Sequence, residues 1–232
     1  MSEPRAIVFD LDDTLYPARA FLTSGFAAVA ATAAAEIGAS AESVFTFLCD
    51  ARRYAPGREL QGLCDRFGLP PSSVDRWVQI IRGHWPEILL PLESQAVLMN
   101  MRATWSIGVL TNGHPDIQRR KVAALGVGDL VDAVVFAAEC GDGRGKPDRA
   151  AFDTVLGALN VPATRAVFVG DDLDADVFGA GRAGLRTIHL ARNAWHGLRR
   201  PWVRPDVRVT RLQSVPGAAE QLMGGVPRAH AA

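Results

Sequence analysis

Seven of the 25 acidic residues in this 232-residue chain stand in two short stretches: Asp10, Asp12 and Asp13, then Asp171, Asp172, Asp174 and Asp176. Each stretch follows an apolar run, Ala6-Ile7-Val8-Phe9 and Ala166-Val167-Phe168-Val169. Carboxylates brought close together repel unless a cation compensates them, so a fold that unites the two stretches invites a metal ion. Hard oxygen donors with positions left open suit Mg²⁺, which takes one or two carboxylates and keeps several waters. Asp172 and Asp174, at the start of a helical pattern, are read as helix-capping or solvated groups. Asp10 and Asp171, each at the end of an apolar strand, are not explained that way.

The cations carry a second signal. The 25 basic residues are 23 Arg and two Lys, Lys121 and Lys146. A genome rich in Arg codons accounts for the bias, and it makes each Lys informative. Lys121, a turn or two along the helix after Thr111-Asn112-Gly113, is expected on the surface. Gly113 permits close approach of a ligand to the backbone. His114 either touches substrate or is a plain turn residue. Trp77 and Trp85, at helical distance, are expected in a core. Other chemistries fail on spacing. Gly141-Asp142-Gly143-Arg144-Gly145-Lys146 has Pro147 where a phosphate-binding loop needs Ser or Thr. A calcium loop beginning at Asp172 would need Gly at Val177 and Glu at Ala183. No GxSxG or HExxH occurs.

The elements that must position these residues follow from periodicity. A strand over 6–9 stops in Asp10. Residues 16–91 then read as helical, with helices over 26–37, 41–51 and 72–85, the last capped by Ser72 or Ser73. Gly and Pro clusters at Pro56-Gly57 and Gly68-Leu69-Pro70-Pro71 punctuate them. A helix over 94–102 follows, then strands over 106–110, 133–137, 166–169, 186–190 and 206–209 alternate with helices over 116–125, 149–159 and 174–183. Short apolar strands alternating with helices mean a parallel sheet covered on both faces. The expected architecture is therefore a doubly wound, Rossmann-like α/β core of residues 1–16 and 92–232, with a helical domain of residues 17–91 inserted after the first strand. Residues 224–232 read as a frayed tail. In such sheets ligands bind outside the carboxyl ends of the strands, where every acidic or polar cluster named above falls.

Composition narrows the function. Lys+Arg and Asp+Glu balance at 25 each, so no basic excess exists to neutralise a run of phosphates, and a nucleic-acid partner is not expected. Three cysteines, Cys49, Cys64 and Cys140, form no CxxC pair, which suits a reduced, cytoplasmic setting. The first residues do not resemble a signal peptide, and no stretch of 18 apolar residues is present, so a membrane partner is not expected either. No protein partner can be inferred.

Asp10-Leu11-Asp12-Asp13-Thr14 resembles the first signature, DxDxT, of the haloacid dehalogenase-like superfamily. Thr111-Asn112-Gly113 is similar to its second, Lys146-Pro147-Asp148 to its third, and Gly170-Asp171 with Asp176 to its fourth, GDxxxxD. Order, strand placement and the helical insert agree over nearly the whole chain. The resemblance implies a Mg²⁺-dependent phosphatase acting on a small phosphorylated metabolite, a nucleotide or sugar phosphate. Asp10 would attack phosphorus to form an aspartyl-phosphate, splitting one difficult step into two. Asp12 would protonate the leaving oxygen and later deprotonate water. The metal ligands would be Asp10, Asp12 through its carbonyl, Asp171 and Asp176, the last by a bound water or by orienting Lys146. Thr111 and the amides of Asn112 and Gly113 would receive the phosphoryl oxygens, with Leu11 also in the substrate-binding set. The superfamily's dehalogenases lack the second carboxylate of the first signature, since a halide leaves without a proton; Asp12 therefore points to phosphate chemistry.

The insert is expected to act as a cap that selects substrate. Arg52, Arg53 and Arg58 flank Pro56-Gly57. Facing inward they would bind a second anionic group or a nucleobase; facing outward they are solvated. A phosphosugar mutase of the same fold and a non-catalytic module that binds metal and phosphate are the alternatives.

Overall fold

A strand of four β-branched, aromatic and small residues, β1 (Ala6–Phe9), forms the centre of a six-stranded parallel sheet and is wholly buried. The computed structural model describes residues 4–192 and 202–224. The remaining strands are β2 (Ser106–Thr111), β3 (Ala133–Phe136), β4 (Ala166–Gly170), β5 (Arg186–Leu190) and β6 (Val207–Val209). Their spatial order is β3-β2-β1-β4-β5-β6. The chain winds one way through β1, β2 and β3 and the other way through β4, β5 and β6, so the order reverses between β1 and β4. That reversal opens a crevice at the carboxyl ends of those two strands. This is the doubly wound α/β architecture that the alternation of strands and helices predicts.

Register aligns the site before any side chain is considered. Phe9 lies opposite Val109 on one side and Val169 on the other. Asp10 is therefore level with Leu110 and Gly170, and Thr111 and Asp171 stand one residue further along neighbouring strands. Hydrophobic residues of β1, β2, β3 and β4 pack with α7 (Arg149–Leu159) into one core, in which Phe152 meets Phe168 edge-on at 5.3 Å.

The polypeptide divides into two compact units, residues 1–17 with 89–232, and residues 18–88. The second unit is helical, built from α1 (Arg19–Ile37), α2 (Ala41–Tyr54), α3 (Glu59–Phe67) and α4 (Ser72–Gly83). Phe26, Val29, Val44, Leu48, Leu63 and Trp77 form its core. Trp77 is buried as expected, whereas Trp85 lies beyond the end of α4 with 62% of its surface exposed. Neither Ser72 nor Ser73 caps α4. Pro71 occupies that position with φ −54°, since the fixed φ of proline starts the helix without a side-chain acceptor. By length and composition α1 is apolar enough to cross a bilayer, which a count of consecutive apolar residues did not reveal. Its buried residues Phe26, Val29 and Ala33 belong to the core of the helical unit.

In the sheet unit, α5 (Leu92–Met101) precedes β2, and α6 (Pro115–Leu125) follows it. The helix expected over 174–183 is a π-helical turn, Leu173–Phe178, running into α8 (Gly179–Ala183). A final helix, α9 (Val215–Gly224), has no counterpart in the sequence reading. The frayed tail placed at 224–232 lies, beyond Gly224, outside the described residues. The three cysteines are free thiols.

Candidate active site

The chain leaves β1 at Asp10, whose amide donates to the Val169 carbonyl (2.9 Å), locking the first acidic stretch to β4. Asp13 adopts a left-handed φ of 57°, turning the chain so that the Leu15 and Tyr16 amides return to the Leu11 carbonyl. Leu11, expected in the substrate-binding set, is fully buried.

Lys146 is the cation at the centre. Its side chain is buried, and Nζ donates to Oδ1 of Asp10 (2.6 Å) and Oδ1 of Asp176 (2.7 Å). Its backbone is clamped by one side chain: Asn112 Oδ1 accepts from the Lys146 amide (2.7 Å), while Asn112 Nδ2 donates to the Lys146 carbonyl (2.9 Å). Asn112 thus ties the loop carrying Lys146 to the end of β2. Close packing at Gly145 is required for this, because a Cβ there would lie 2.7 Å from Asn112 Oδ1.

The second acidic stretch is organised by its own caps. Asp172 accepts from the amides of Asp174 (2.7 Å) and Ala175 (2.8 Å), the capping role its position suggested. The π-helical turn that follows carries Asp176 back over Gly170. Oδ2 of Asp176 accepts from the Asp172 amide (3.1 Å) while Oδ1 holds Lys146. A Cβ at Gly170 would lie 2.1 Å from that carboxylate, so only glycine fits there. His189 on β5 is buried, and its Nε2 lies 3.0 Å from the Asp171 carbonyl, fixing the loop from below.

Asp10, Asp171 and Asp176 place ligand oxygens within 4.8 Å of one another. The Asp10 carboxyl is pushed up to about 7, chiefly by burial, with Lys146 opposing and the Asp176 and Asp12 charges adding to the rise. Asp171 is pushed up to about 8 by burial and then by the charges of Asp10 and Asp176. Lys146 is held above its ordinary range: burial opposes its charge, but Asp10 and Asp176 outweigh that. All-oxygen donors of this kind fit Mg²⁺, whose charge would offset the repulsion among these carboxylates.

Asp12 contradicts one expectation. Lys121, expected on the surface, is only 8% exposed, and its Nζ donates to both oxygens of Asp12 at 2.8 Å. Asp12 also accepts from the Tyr16 hydroxyl (2.5 Å) and from Gln118 Nε2 (2.9 Å). Gln118 is buried and also reaches the Thr111 hydroxyl and the Asn112 carbonyl, joining the ends of β1 and β2. Gln118 and Tyr16 were not among the candidate residues, and Lys121 was singled out but expected on the surface. The signal for two of them was present: Gln118, Lys121 and Leu125 recur at helical spacing, and all three lie on the buried face of α6.

The structure therefore brings together Asp10, Asp12, Thr111, Asn112, Lys146, Asp171 and Asp176. Gly113 follows the end of β2 with φ 121°, and His114 is exposed, 3.9 Å from Asp116. Arg52, Arg53 and Arg58 belong to the helical unit and are exposed on it, Arg52 paired with Glu59 (2.9 Å) and Arg53 with Asp50 (3.3 Å).

Known proteins resemble this chain in sequence and in fold. Residues 4–184 match the family model of haloacid dehalogenase-like hydrolases. A phosphoserine phosphatase of Thermus thermophilus is 37% identical over 126 residues, 53% of this chain and 48% of that protein. A ribulose-1,5-bisphosphate 5-phosphatase of Halopiger xanaduensis is 30% identical over 79% of this chain and 83% of its own. The match thus spans about half the length of the first relative and most of the second. Among solved structures, the putative hydrolase YfnB of Bacillus subtilis, bound to magnesium, superposes with a TM-score of 0.65 at 16% identity, covering 94% of this chain and 99% of that one. Solved haloacid dehalogenases share the fold as well. Family model and relatives together place the chain: it belongs to the haloacid dehalogenase-like hydrolases.

Proposed function

We propose that this protein is a cytoplasmic, Mg²⁺-dependent phosphatase that hydrolyses a small phosphomonoester, a nucleotide or sugar phosphate, through an aspartyl-phosphate on Asp10. The observation that carries the reading is the buried Lys146 ammonium held between Asp10 and Asp176 beside Asp171. A phosphate dianion approaching a carboxylate nucleophile needs its charge offset, and a fixed cation next to that nucleophile does this without reorganising.

In the first step an oxygen of Asp10 attacks phosphorus in line, and the bond to the leaving oxygen breaks. Lys146 holds the carboxylate in place and offsets charge on the phosphoryl oxygens. Asp12 gives its proton to the leaving oxygen. In the second step water attacks the aspartyl-phosphate, Asp12 takes the proton, and Asp10 is released with inorganic phosphate. The Thr111 hydroxyl and the amides of Asn112 and Gly113 hold the phosphoryl oxygens, as the position of Thr111 at the end of β2, one residue beyond the level of Asp10, allows. Asp10, the Asp12 carbonyl and Asp171, with Asp176 behind them, would hold Mg²⁺, which when bound neutralises charge between nucleophile and phosphate. The helical insert selects the substrate.

Asp12 weighs against dehalogenation. A halide leaves without a proton, yet this chain holds a second carboxylate in four hydrogen bonds two residues beyond Asp10. A panel of aryl, nucleoside and sugar phosphates, assayed for phosphate release with Mg²⁺ and with EDTA, tests the proposal. Mg²⁺-dependent release on at least one class is expected. Isomerised sugar phosphate without release would identify a mutase, and no turnover on any substrate would identify a binding module.

A further inference from the structure

We propose that Lys121 is a positioning residue for catalysis, acting with Gln118 and Tyr16 to fix the Asp12 carboxylate where it meets the leaving oxygen. The proposal rests on the reading of Asp12 as the proton-transfer group.

The geometry is that of a clamp. Asp12 lies on a loop, and a free aspartate there would sample several rotamers. Instead its two oxygens take four hydrogen bonds from three side chains. Lys121 spans both oxygens, Tyr16 holds Oδ1 and Gln118 holds Oδ2. Two of the three donors come from α6, which begins at the Thr111-Asn112-Gly113 turn. Gln118 bonds at the same time to Thr111, so one side chain touches both the hydroxyl meant for the phosphoryl group and the carboxylate meant for the leaving group. The arrangement fixes the distance between those two functions. Freezing a reacting group in a near-attack position is worth a large factor in rate, and a misplacement of about 1 Å is worth on the order of 10²-fold.

A purely structural ion pair would have the same geometry but behave differently in kinetics. Rapid-quench rates of phosphoenzyme formation and steady-state kcat and KM should be measured for wild type, Asp12→Asn, Lys121→Met and Asp12→Asn/Lys121→Met, on one aryl and one alkyl phosphate. Lys121→Met is expected to lower kcat by on the order of 10²-fold while KM moves by less than about threefold. It should share the leaving-group dependence of Asp12→Asn, and the double variant should fall within about twofold of Asp12→Asn alone, because residues acting as one unit are not additive. Multiplying losses in the double variant, or a Lys121→Met enzyme within about threefold of wild type, would overturn the proposal. If Lys121→Met does not fold, Lys121→Gln keeps a donor at the site and is read by the same comparison. The two readings fail separately. An Asp12→Asn variant equally slow on aryl and alkyl phosphates removes the acid role, whereas the additivity of the losses still decides the role of Lys121.

Discussion

Removing the Asp171 carboxylate should stabilise the metal-free protein, and by more as the pH rises. Asp171 is pushed from 3.8 up to about 8, and Asp10 up to about 7, by burial and by the acids facing them. In the unfolded chain both groups release their protons near pH 4, whereas in the folded protein they keep them until pH 7 to 8. Between those limits the folded state binds more protons, so the contribution of the site to stability falls as pH rises. The sign is opposite to that of an aspartate in a salt bridge, whose folded pKa is depressed. The change at Asp171 alone sets a ceiling of about 6 kcal/mol at about 1.4 kcal/mol per pKa unit. Water reaches this half-buried group and screens it, so a net effect of about 2 kcal/mol between pH 5 and pH 8.5 is expected. Urea unfolding of wild type and Asp171→Asn in EDTA, at four pH values across that range, reads the contribution of Asp171 together with its coupling to Asp10, while groups that do not interact with Asp171 cancel. The variant's advantage should grow by about 2 kcal/mol, and saturating Mg²⁺ should restore the wild type at high pH. An advantage that is flat or shrinks with pH would refute the account of the site as a cluster of mutually repelling acids that a bound metal relieves.

The other expectations concern the cation, the glycine and the insert. Lys146→Arg places a wide, planar guanidinium where a compact ammonium now bridges Asp10 and Asp176, and should lower kcat by on the order of 10²-fold at saturating Mg²⁺. Steady-state kinetics on one good substrate decide this, and a rate near wild type would discard the bridging role. Gly170→Ala puts a methyl group against the Asp176 carboxylate and should weaken Mg²⁺ binding measured by calorimetry, with a stability cost of about 1–3 kcal/mol. Unchanged affinity would mean that Asp176 has room to move without consequence. The Arg52, Arg53 and Arg58 triple Ala variant should change KM or the ranking of substrates more than it changes kcat on an aryl phosphate; an unchanged ranking would leave these residues as solvated arginines.

Much of this site was legible because the strands announce it. Short apolar runs stop abruptly at Asp10, Thr111 and Gly170-Asp171, and a parallel sheet with the order found here must set those ends side by side. Lys146 stood out by residue type alone, in a chain with 23 Arg. Lys121 had the same distinction but was misjudged, because a lone lysine on a helix is usually solvated. Its helical register with Leu125 carried the correction. Other features were illegible for physical reasons. Whether a serine or a proline begins α4 turns on backbone geometry that pattern alone does not fix. The π-helical turn that delivers Asp176 has no periodic signature distinct from an α-helix over six residues. Trp85 fell outside the core because α4 ends at Gly83, two residues earlier than its spacing required.

The central claim is that Asp10 becomes phosphorylated during turnover. Wild-type protein mixed with a ³²P-labelled aryl phosphate and Mg²⁺, then quenched in acid, should carry label that alkali and hydroxylamine remove, as an acyl phosphate requires. Borohydride reduction before proteolysis should convert residue 10, and no other, to homoserine. Asp10→Asn should neither take up label nor release phosphate. Phosphate release at the wild-type rate with no trapped label, label on another residue, or an Asp10→Asn variant within a few-fold of wild type would contradict the account.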